Sequence, residues 1–570
     1  MPSSTSLLFF RRMRLPLTVL IAAYSVATVG FTLMPGVDAD GNPWRMSLFD
    51  AFYVVSYTGS TIGFGEVPYE FSKAQRLWTM VSIYLTVVAW LFSIGSIISL
   101  TQDPAFAQSL RGARFRRAIR NYDRPFYLLC GLGDTGRLLT RALTELHHPV
   151  VVVDVIQDKI DALSVEAYKA PVHGFCMDAT MPENLIAAGL QSRWCMGVLA
   201  VTADDRVNLK VAVTARLLNQ RAAVYARADE REVADNMRSF NTAHVVRPAE
   251  ELVYRLRLLL TRPHTYRLYQ WLRSSPGHPP PSLPTVASGR WILCGFGRYG
   301  QTVHRLLSEL KFKVTVIEEN TGLEGLPEDA VVGRGTQAET LQTAGVEDAV
   351  GILATTRDDV DNLSILITAR DLKPDLFCGA VANRWSSGPL FDAAAPDYFA
   401  QPGELIAGTI LSHIRSPLLS HLFRCLEQAD DAVAGRVLER LLTDSAQTRE
   451  PEFLTVRLSK KRAPALHALR ERGHRLDLNV FARHPLRPAD RLQVEVLMLS
   501  RDDEDRLLPD MDTELESGDR VLLACSPPAA RRVRILLESE VVAYKTVTGQ
   551  ELQQGWLFRK LAGSRLPARS

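Results

Sequence analysis

The 570-residue chain has little cysteine and almost no net charge. All seven cysteines lie at or after Cys130 and none forms a C-x-x-C pair, so disulfide bonds and a cysteine zinc site are not expected. With 66 basic and 63 acidic residues, the net charge of +3 gives no reason to expect a nucleic-acid partner. The length exceeds that of one domain, so several domains are expected.

Charged residues are also missing from two long stretches. Leu15 to Leu33 holds 19 residues without a charge and Leu77 to Leu100 holds 24, both near the ~20 residues that cross a bilayer. No small-residue cleavage pattern follows the first stretch, so two membrane helices are predicted rather than a signal peptide. Arginines precede the first stretch and follow the second at positions 111 to 120, which places both ends in the cytoplasm.

A run of small residues, Ser60 to Glu66, lies between the two apolar stretches. The glycines in this run tolerate unusual backbone dihedrals, so its carbonyls can turn toward an ion and replace the water that K+ sheds. Met46 to Gly59, just before it, is long enough for a short re-entrant helix, which membrane proteins tolerate beside a pore. The residues predicted to turn their carbonyls toward an ion are Thr61, Ile62, Gly63, Phe64 and Gly65.

From Thr58 onward the string T-x-x-T-I-G-F-G resembles the selectivity filter of potassium channels, with Phe64 where Tyr is usual. The resemblance implies K+ coordination at Thr61, Ile62, Gly63 and Phe64. It also implies a homotetramer around one conduction axis, because a single helical hairpin cannot enclose a pore. Loss of the tyrosine hydroxyl removes a hydrogen bond behind the filter, while K+ preference is expected to survive.

The rest of the chain contains an internal repeat. In each copy an apolar run leads into a G-x-G-x-x-G turn, a helical stretch, and a second apolar run that ends in an acid 18 positions after the last glycine. This order is typical of a Rossmann-like dinucleotide fold, in which the acid accepts a hydrogen bond from a ribose. The first copy supplies Gly131, Gly133, Asp134, Thr135, Gly136 and Asp154; the second supplies Gly295, Gly297, Arg298, Tyr299, Gly300 and Glu318.

The repeat continues beyond the glycine turns. A D-D-x-x-N motif follows a strand-like run that ends at Thr202 in the first copy, and it recurs at Asp358 in the second. The first glycines of the two copies are 164 residues apart. These features resemble the regulator of K+ conductance (RCK) domain, a Rossmann-like ligand sensor. A pore followed by two copies resembles the tandem-RCK, two-helix prokaryotic potassium channels over nearly the whole chain.

The resemblance implies a ligand-gated K+ channel in the prokaryotic inner membrane, with the RCK domains cytoplasmic and no enzymatic activity. Asp178, Ala179 and Arg227 match the nucleotide contacts of the family, whereas the second copy has Arg334 and Val381 at the positions of Asp178 and Arg227. Arg298 and Arg334 are therefore expected to hold phosphate in the second site, if it is occupied. The acids at 154 and 318 disfavour a 2′-phosphate, which leaves NAD(H) or ATP and ADP as regulatory ligands.

Composition predicts the domain boundaries, and the fold class is a membrane α module joined to α/β domains. The C-terminal lobe is expected to be α+β, with strands at Phe453 to Leu458, Arg475 to Phe481, Leu492 to Leu499 and Arg520 to Ala524. The expected segments are the pore module at 1–124, the first RCK domain at 125–273, a Pro-rich linker at 274–289, the second RCK domain at 290–430, the lobe at 450–546 and a tail at 547–570.

Two other functions stay open at this point. A membrane-anchored NAD-dependent oxidoreductase would use the same dinucleotide folds, but no catalytic domain with a placed His, Lys or Tyr is evident. A regulatory subunit of a separate K+ transport system would have tandem RCK domains, but such subunits lack membrane helices. A Ca2+ site in the acidic run between Asp502 and Asp512 is possible but unsupported, because the spacing of a calcium loop is missing.

Overall fold

The computed structural model of the protein describes residues 4–102, 112, 114–240, 244–273, 283–284, 286–444, 451–484, 487, 490–502 and 504–551. Most of the predicted Pro-rich linker and the end of the tail, from residue 552, lie outside this part of the chain. The backbone divides into an N-terminal unit that runs to Arg124 and a larger unit that begins at Pro125.

The N-terminal unit consists of three helices and a small hairpin: Ser4–Leu33, the strands Pro35–Val37 and Pro43–Arg45, Leu48–Gly59, and Lys73–Gln102. The first and last helices contain stretches long and apolar enough to cross a membrane by length and composition, Met13–Leu33 and Lys73–Ser99. The short helix between them begins at Ser47, whose hydroxyl accepts a hydrogen bond from the Asp50 amide over 3.1 Å. This order of helix, short helix, loop and helix is the one that the sequence predicts.

The larger unit holds two parallel six-stranded sheets, one for each copy of the repeat. In each sheet the chain winds outward from a central strand in one direction and then in the other, which is the doubly wound Rossmann order. The strands of the first sheet lie in the order Val172–Cys176, Val150–Asp154, Phe126–Cys130, Cys195–Ala200, Ala223–Arg227 and His244–Val246. Those of the second lie in the order Val331–Val332, Lys313–Glu318, Arg290–Cys294, Ala349–Ala354, Phe377–Val381 and Tyr398–Ala400.

Helices cover both sheets, as a fully buried parallel sheet requires. The first copy has helices at Asp134–Glu145, Gln157–Ala162, Pro182–Ala187, Asp205–Leu218, Arg231–Ser239, Pro248–Thr261 and Pro263–Arg273. The second has them at Arg298–Glu309, Ala338–Thr343, Asp359–Leu372, Gly388–Ala394, Pro402–Arg415, Pro417–Gln428 and Asp431–Asp444, with single 3₁₀ turns at Val346–Asp348 and Trp385–Ser387.

The two copies exchange one helix each. Leu252 and Leu256 of the helix Pro248–Thr261 share a hydrophobic core with Trp291 of the second sheet. In return Ile406 and Ile410 of the helix Pro402–Arg415 pack in the core of the first sheet. We call these two helices the crossover helices. Each begins with a proline in its first turn, a position where the missing N–H costs nothing. The exchange therefore joins the two copies of one chain.

The C-terminal lobe is an antiparallel sheet with helices, in the strand order Glu452–Arg457, Arg520–Cys525, Val494–Arg501 and Glu504–Leu507. Its helices are Pro464–Glu471, Pro527–Glu538 and Glu540–Thr548. The predicted strand at Arg475 to Phe481 is wrong, because that segment contains a 3₁₀ turn, Leu478–Phe481, whose apolar side chains are buried. The sequence pattern of a short apolar run with one buried face is similar in a strand and in a helical turn, so the pattern does not distinguish them. The acidic run between Asp502 and Asp512 contains the strand Glu504–Leu507. The fold class of the whole chain is as predicted.

Candidate functional site

The loop after the short helix of the N-terminal unit has an alternating backbone. Thr61, Gly63 and Gly65 have positive φ values of 62°, 66° and 96°. In an ordinary extended chain successive carbonyls point to opposite sides, and inverting every second residue turns them to the same side. A row of carbonyls on one side is the arrangement that replaces the hydration shell of K+. Glycine allows this at 63 and 65, whereas Thr61 adopts it at an energetic cost.

The short helix holds this loop from behind. The Tyr57 hydroxyl donates to the Gly65 carbonyl over 2.5 Å, and the Tyr57 carbonyl accepts from the amides of Ile62 and Gly63. The Phe64 ring packs edge-on against Tyr57 and parallel to Tyr53, with centroids 5.7 and 6.3 Å apart. Tyr57 thus ties the loop to the short helix through its hydroxyl, a contact that the sequence prediction did not include.

Glu66 closes the loop on its other side. Its two carboxylate oxygens accept hydrogen bonds from Arg76 at 2.8 and 3.1 Å, and one of them also accepts from the Phe71 amide at 2.7 Å. These bonds tie the end of the loop to the start of the last helix of the unit. Glu66 is therefore a supporting carboxylate of this loop.

The first copy of the repeat opens into a cavity of about 500 Å³ at the carboxyl ends of its strands. This is the edge where doubly wound sheets bind ligands, and the volume lies within the range of ordinary small-molecule pockets. The cavity collects most of the residues predicted for the first site and two from the second copy: Gly131, Gly133, Asp134, Thr135, Asp154, Asp178, Ala179, Thr202, Arg227, Arg298 and Tyr299.

Glycine is suited to each of the three positions of the first turn for a different structural reason. Gly131 has a φ of 101°, and a Cβ there would lie 2.8 Å from the Thr202 amide nitrogen. A Cβ on Gly136 would lie 2.1 Å from the Gly131 carbonyl oxygen, so the third glycine allows helix and strand to pack closely. A Cβ on Gly133 would meet nothing within 4 Å. Gly133 caps the helix Asp134–Glu145 and leaves an open approach to its N-terminus, which fits a pyrophosphate.

Asp154 stands at the end of its strand, facing this turn. It is buried, and its carboxylate accepts from the amides of Leu132 and Ile156 at 2.6 and 2.9 Å. The Lys159 Nζ lies 3.7 Å from Asp154 Oδ2, a contact that the sequence prediction did not include. Asp178 is exposed on the far side of the cavity, where its carboxylate accepts from the Thr180 amide. The acid and the open turn together fit the ribose and pyrophosphate of an adenine nucleotide.

Two arginines of the cavity belong to an ion-pair cluster that crosses between the two copies. Asp229, which the sequence prediction did not include, accepts from Arg227 at 2.9 Å and from Arg298 at 2.6 Å. Arg298 belongs to the glycine turn of the second copy. The structure thus places Arg298 in the lining of the first cavity, although its place in the second glycine turn predicted a role in the second site.

The D-D-x-x-N motif is a structural clamp in both copies. Asp205 accepts hydrogen bonds from the amides of Asp229 and Glu230, which fixes the turn after the strand Ala223–Arg227. The fully buried Asn208 side chain donates to the carbonyls of Thr202 and Arg227 at 3.0 and 3.1 Å. The second copy repeats these bonds with Asp359 and Asn362. The motif therefore sets the shape of the strand ends around the cavity.

The second copy has the same backbone turn but different side chains around it. Gly295 has a φ of 91°, and a Cβ on Gly300 would lie 2.0 Å from the Gly295 carbonyl oxygen. Glu318 accepts from the Phe296 amide as Asp154 does from Leu132. Arg334 is exposed and donates to both oxygens of Glu319 at 3.0 Å. The Arg357 guanidinium lies about 4.0 Å from the place of a Cβ on Gly297, whose counterpart in the first copy is open.

Within the described residues no group of three His, Cys, Asp or Glu side chains is placed to hold a metal ion.

Family comparisons match both parts of the chain. Residues 18–103 match the ion channel family, and residues 127–248 and 291–402 each match the TrkA-N domain. The chain is similar to two proteins of Methanocaldococcus jannaschii. Potassium channel protein 1 is 24% identical over 33% of this chain and 55% of its own length. Probable potassium channel protein 2 is 25% identical over 35% of this chain and 57% of its own length.

An uncharacterized protein of Methanothermus fervidus is 26% identical over 36% of this chain and 31% of its own length. The chain thus spans about a third to just over half of the length of these curated relatives. Among solved structures, the GsuK channel bound to NAD is 17% identical, covers 94% of this chain and 99% of its own, and has a TM-score of 0.45. GsuK bound to ADP is 20% identical, covers 72% and 99%, and has a TM-score of 0.44.

The chain therefore joins an N-terminal segment of the ion channel family, with two helices that are candidates to span a membrane, to two TrkA-N (RCK) domains, and it is similar to potassium channel proteins over about a third of its length.

Proposed function

We propose that four copies of this chain form a K+-selective channel whose gate responds to an adenine nucleotide bound in the first TrkA-N domain. The observation that carries the proposal is the alternating backbone of Thr61, Gly63 and Gly65, which lies between two helices long enough to span a membrane. One hairpin contributes one row of carbonyls. Four rows around a common axis surround a K+ ion as its hydration shell does.

The chemistry of the first cavity supports a nucleotide as the ligand. The start of the helix Asp134–Glu145 offers free backbone N–H groups and a positive dipole to a pyrophosphate. Asp154 is placed to accept from a ribose hydroxyl, and its charge repels a 2′-phosphate. Arg227 and Arg298 offer bidentate contacts to further phosphates. NAD(H), ATP and ADP fit this set of groups, and NADP does not.

Control of the pore requires that the nucleotide favour one state of the ring of TrkA-N domains. A ligand shifts an equilibrium only through unequal affinity for its two states, and four coupled sites multiply a modest difference. We propose that the shift reaches the helix Lys73–Gln102 through residues 101–124, of which 103–111 and 113 lie outside the described part of the chain.

The direct test of the pore is K+ flux into liposomes that contain the purified full-length protein. Gly63→Ala forces a side chain onto a φ of 66° and should abolish flux while the oligomer is retained on gel filtration. Gly41→Ala is the matched control, because Gly41 has a φ of 88° in the hairpin turn and also has open space around its Cβ position. Undiminished K+-selective flux in Gly63→Ala would falsify the assignment of the filter.

The proposal also places both termini and the TrkA-N domains in the cytoplasm of a prokaryotic inner membrane, because arginines flank the membrane helices on that side. A reporter that is active only in the cytoplasm should work when it is fused after Ser570. If only reporters that act in the periplasm work there, the topology is inverted and the nucleotide domains cannot sense a cytoplasmic ligand.

A further inference from the structure

Asp229 has an unusual place for an acid, because it pairs with two arginines that line a cavity fit for an anionic ligand. Its carboxylate oxygen Oδ2 accepts from both Arg227 and Arg298, and its Oδ1 is 3.3 Å from Arg227 Nε. Both arginines line the cavity together with the open glycine turn. One carboxylate therefore pairs with both cations and offsets part of the positive charge that would otherwise face the phosphates of a bound nucleotide.

The carboxylate is ionised and its backbone is held. Burial raises the pKa of Asp229, but hydrogen bonds and charges from Arg227 and Arg298 outweigh this, so the pKa is lowered from its usual value. The Asp229 amide donates to Asp205 at 2.8 and 3.0 Å, which fixes the main chain. A rotation about the side-chain bonds alone would take the carboxylate away from the two guanidiniums while the turn stays in place.

We propose that Asp229 is a resident counter-ion, which occupies the anion position between Arg227 and Arg298 until a nucleotide phosphate takes it over. The inference rests on the proposed nucleotide function and adds the residue that sets its affinity. A diphosphate makes the same bidentate contacts to arginine as a carboxylate does and carries more negative charge, so it can displace the single carboxylate of Asp229. Adenosine has no group to take its place and leaves Asp229 where it is.

Displacement of the Asp229 carboxylate by a phosphate changes the contact between the two copies. In the structure Asp229 of the first copy and Arg298 of the second form a direct ion pair across their interface. When a phosphate replaces the carboxylate, the ligand itself joins the copies. The nucleotide is thereby sensed by both TrkA-N domains, although a single cavity holds it. Asp229 thereby weakens the binding of ligands that carry phosphate and leaves the binding of adenosine unchanged.

The test is Asp229→Asn in the full-length protein, with binding measured by calorimetry for ADP and for adenosine. The substitution keeps the shape and removes the competing charge. ADP affinity should rise by about tenfold, roughly the worth of one charge-assisted hydrogen bond, and adenosine affinity should stay unchanged. A gain in affinity cannot arise from a protein that fails to fold.

Two further variants show whether the gain in ADP affinity depends on Arg298. Arg298→Gln should weaken ADP binding, and in that background Asp229→Asn should bring a smaller gain, because the two residues form one cluster. Asp235→Asn is the matched control. Asp235 also contacts two arginines, Arg231 and Arg238, but on an exposed helix outside the cavity, so its ADP affinity should not change.

The outcomes separate this inference from the function on which it rests. If the unmodified protein binds neither ADP, ATP nor NAD, the proposed function fails. If it binds ADP and Asp229→Asn weakens or does not change that binding, the nucleotide function stands and the resident counter-ion is refuted. An equal gain for adenosine and ADP also refutes it, because Asp229 would then act on the site as a whole and not on phosphate.

Discussion

At the scale of single residues, the sequence predicts contacts that follow from a motif and misses those that depend on distant neighbours. The positions of Gly133 and Asp154 follow from a spacing that the dinucleotide fold imposes, and the structure brings both into one cavity. Asp229 lies outside any motif, and its role depends on Arg298, which is 69 positions further along the chain. No local pattern carries such a pair.

Asp154 is expected to bind the nucleotide through its charge. Asp154→Asn keeps the size of the side chain but removes the ionised acceptor, which should cost about 1.5 to 3 kcal/mol, or roughly ten- to a hundredfold in ADP affinity. Calorimetry on the full-length protein measures this. Asp158→Asn serves as the control, because Asp158 is exposed on the neighbouring helix and lies outside the cavity. Equal affinities for the two variants would remove Asp154 from the site.

Tyr57 is expected to stabilise the filter through its hydroxyl. Tyr57→Phe removes the bond to the Gly65 carbonyl without changing the packing against Phe64. We expect a lower ratio of K+ to Na+ flux in liposomes, because the carbonyl row is held less rigidly. Tyr53→Phe is matched to it, since Tyr53 also packs against Phe64 and is not hydrogen-bonded to the filter backbone. Identical flux ratios in the two variants would contradict this role.

At the scale of helices and strands, periodicity predicts the elements well where burial and chemistry agree. The glycine turns, the helices that follow them and the membrane helices all appear where the pattern indicates. The segment from Arg475 to Phe481 is the exception, because its amides at Leu478 and Asn479 bond to carbonyls of the loop near Met511 and Thr513 rather than to a sheet. The partner of a crossover helix is likewise invisible in its own sequence, which records only that one face is apolar.

The exchanged crossover helix should make stability depend on pH. His413 of the helix Pro402–Arg415 lies against His244 of the first sheet, with ring centroids 3.8 Å apart. Burial and the charge of His413 lower the pKa of His244 to about 4. Between pH 6.5 and about 4 the unfolded chain therefore binds a proton at His244 that the folded chain does not bind. The free energy of unfolding is accordingly highest above pH 6.5 and decreases as the pH falls below it.

Thermal unfolding of the full-length protein at pH 7 and pH 5 checks this expectation. His244→Gln should reduce the difference between the two unfolding temperatures, because it removes the group whose protonation is unfavourable in the folded state. His467→Gln is the control, since His467 lies in the C-terminal lobe beside Glu471. If His244→Gln leaves the difference as large as in His467→Gln, the buried contact between sheet and helix does not govern the acid sensitivity.

At the scale of the whole molecule, the order of domains is legible from sequence because each has its own pattern: uncharged stretches for the membrane, glycine turns for the nucleotide folds. The sequence does not predict that both copies line one cavity, because this requires the second copy to add Arg298 and Tyr299 to a site built by the first. The two copies are therefore unequal, and the second contributes to the first site through its own glycine turn.

The final prediction concerns the link between nucleotide and pore. Binding and gating are coupled reciprocally, so a variant that changes affinity must shift the nucleotide concentration at which flux changes. We expect Asp154→Asn to move the midpoint of the flux curve to higher ADP by about the same ten- to hundredfold as it weakens binding. Flux at saturating ADP should stay at the level of the unmodified protein, because the substitution leaves the pore untouched.

The measurement is K+ flux in liposomes over a series of ADP concentrations, beside calorimetry on the same preparations. Glu318→Gln provides the comparison within the chain, as it changes the corresponding acid of the second copy. If that variant shifts the curve as far as Asp154→Asn does, the second site gates as strongly as the first. Weakened binding in Asp154→Asn with an unmoved flux curve would mean that the nucleotide in the first TrkA-N domain does not control the pore.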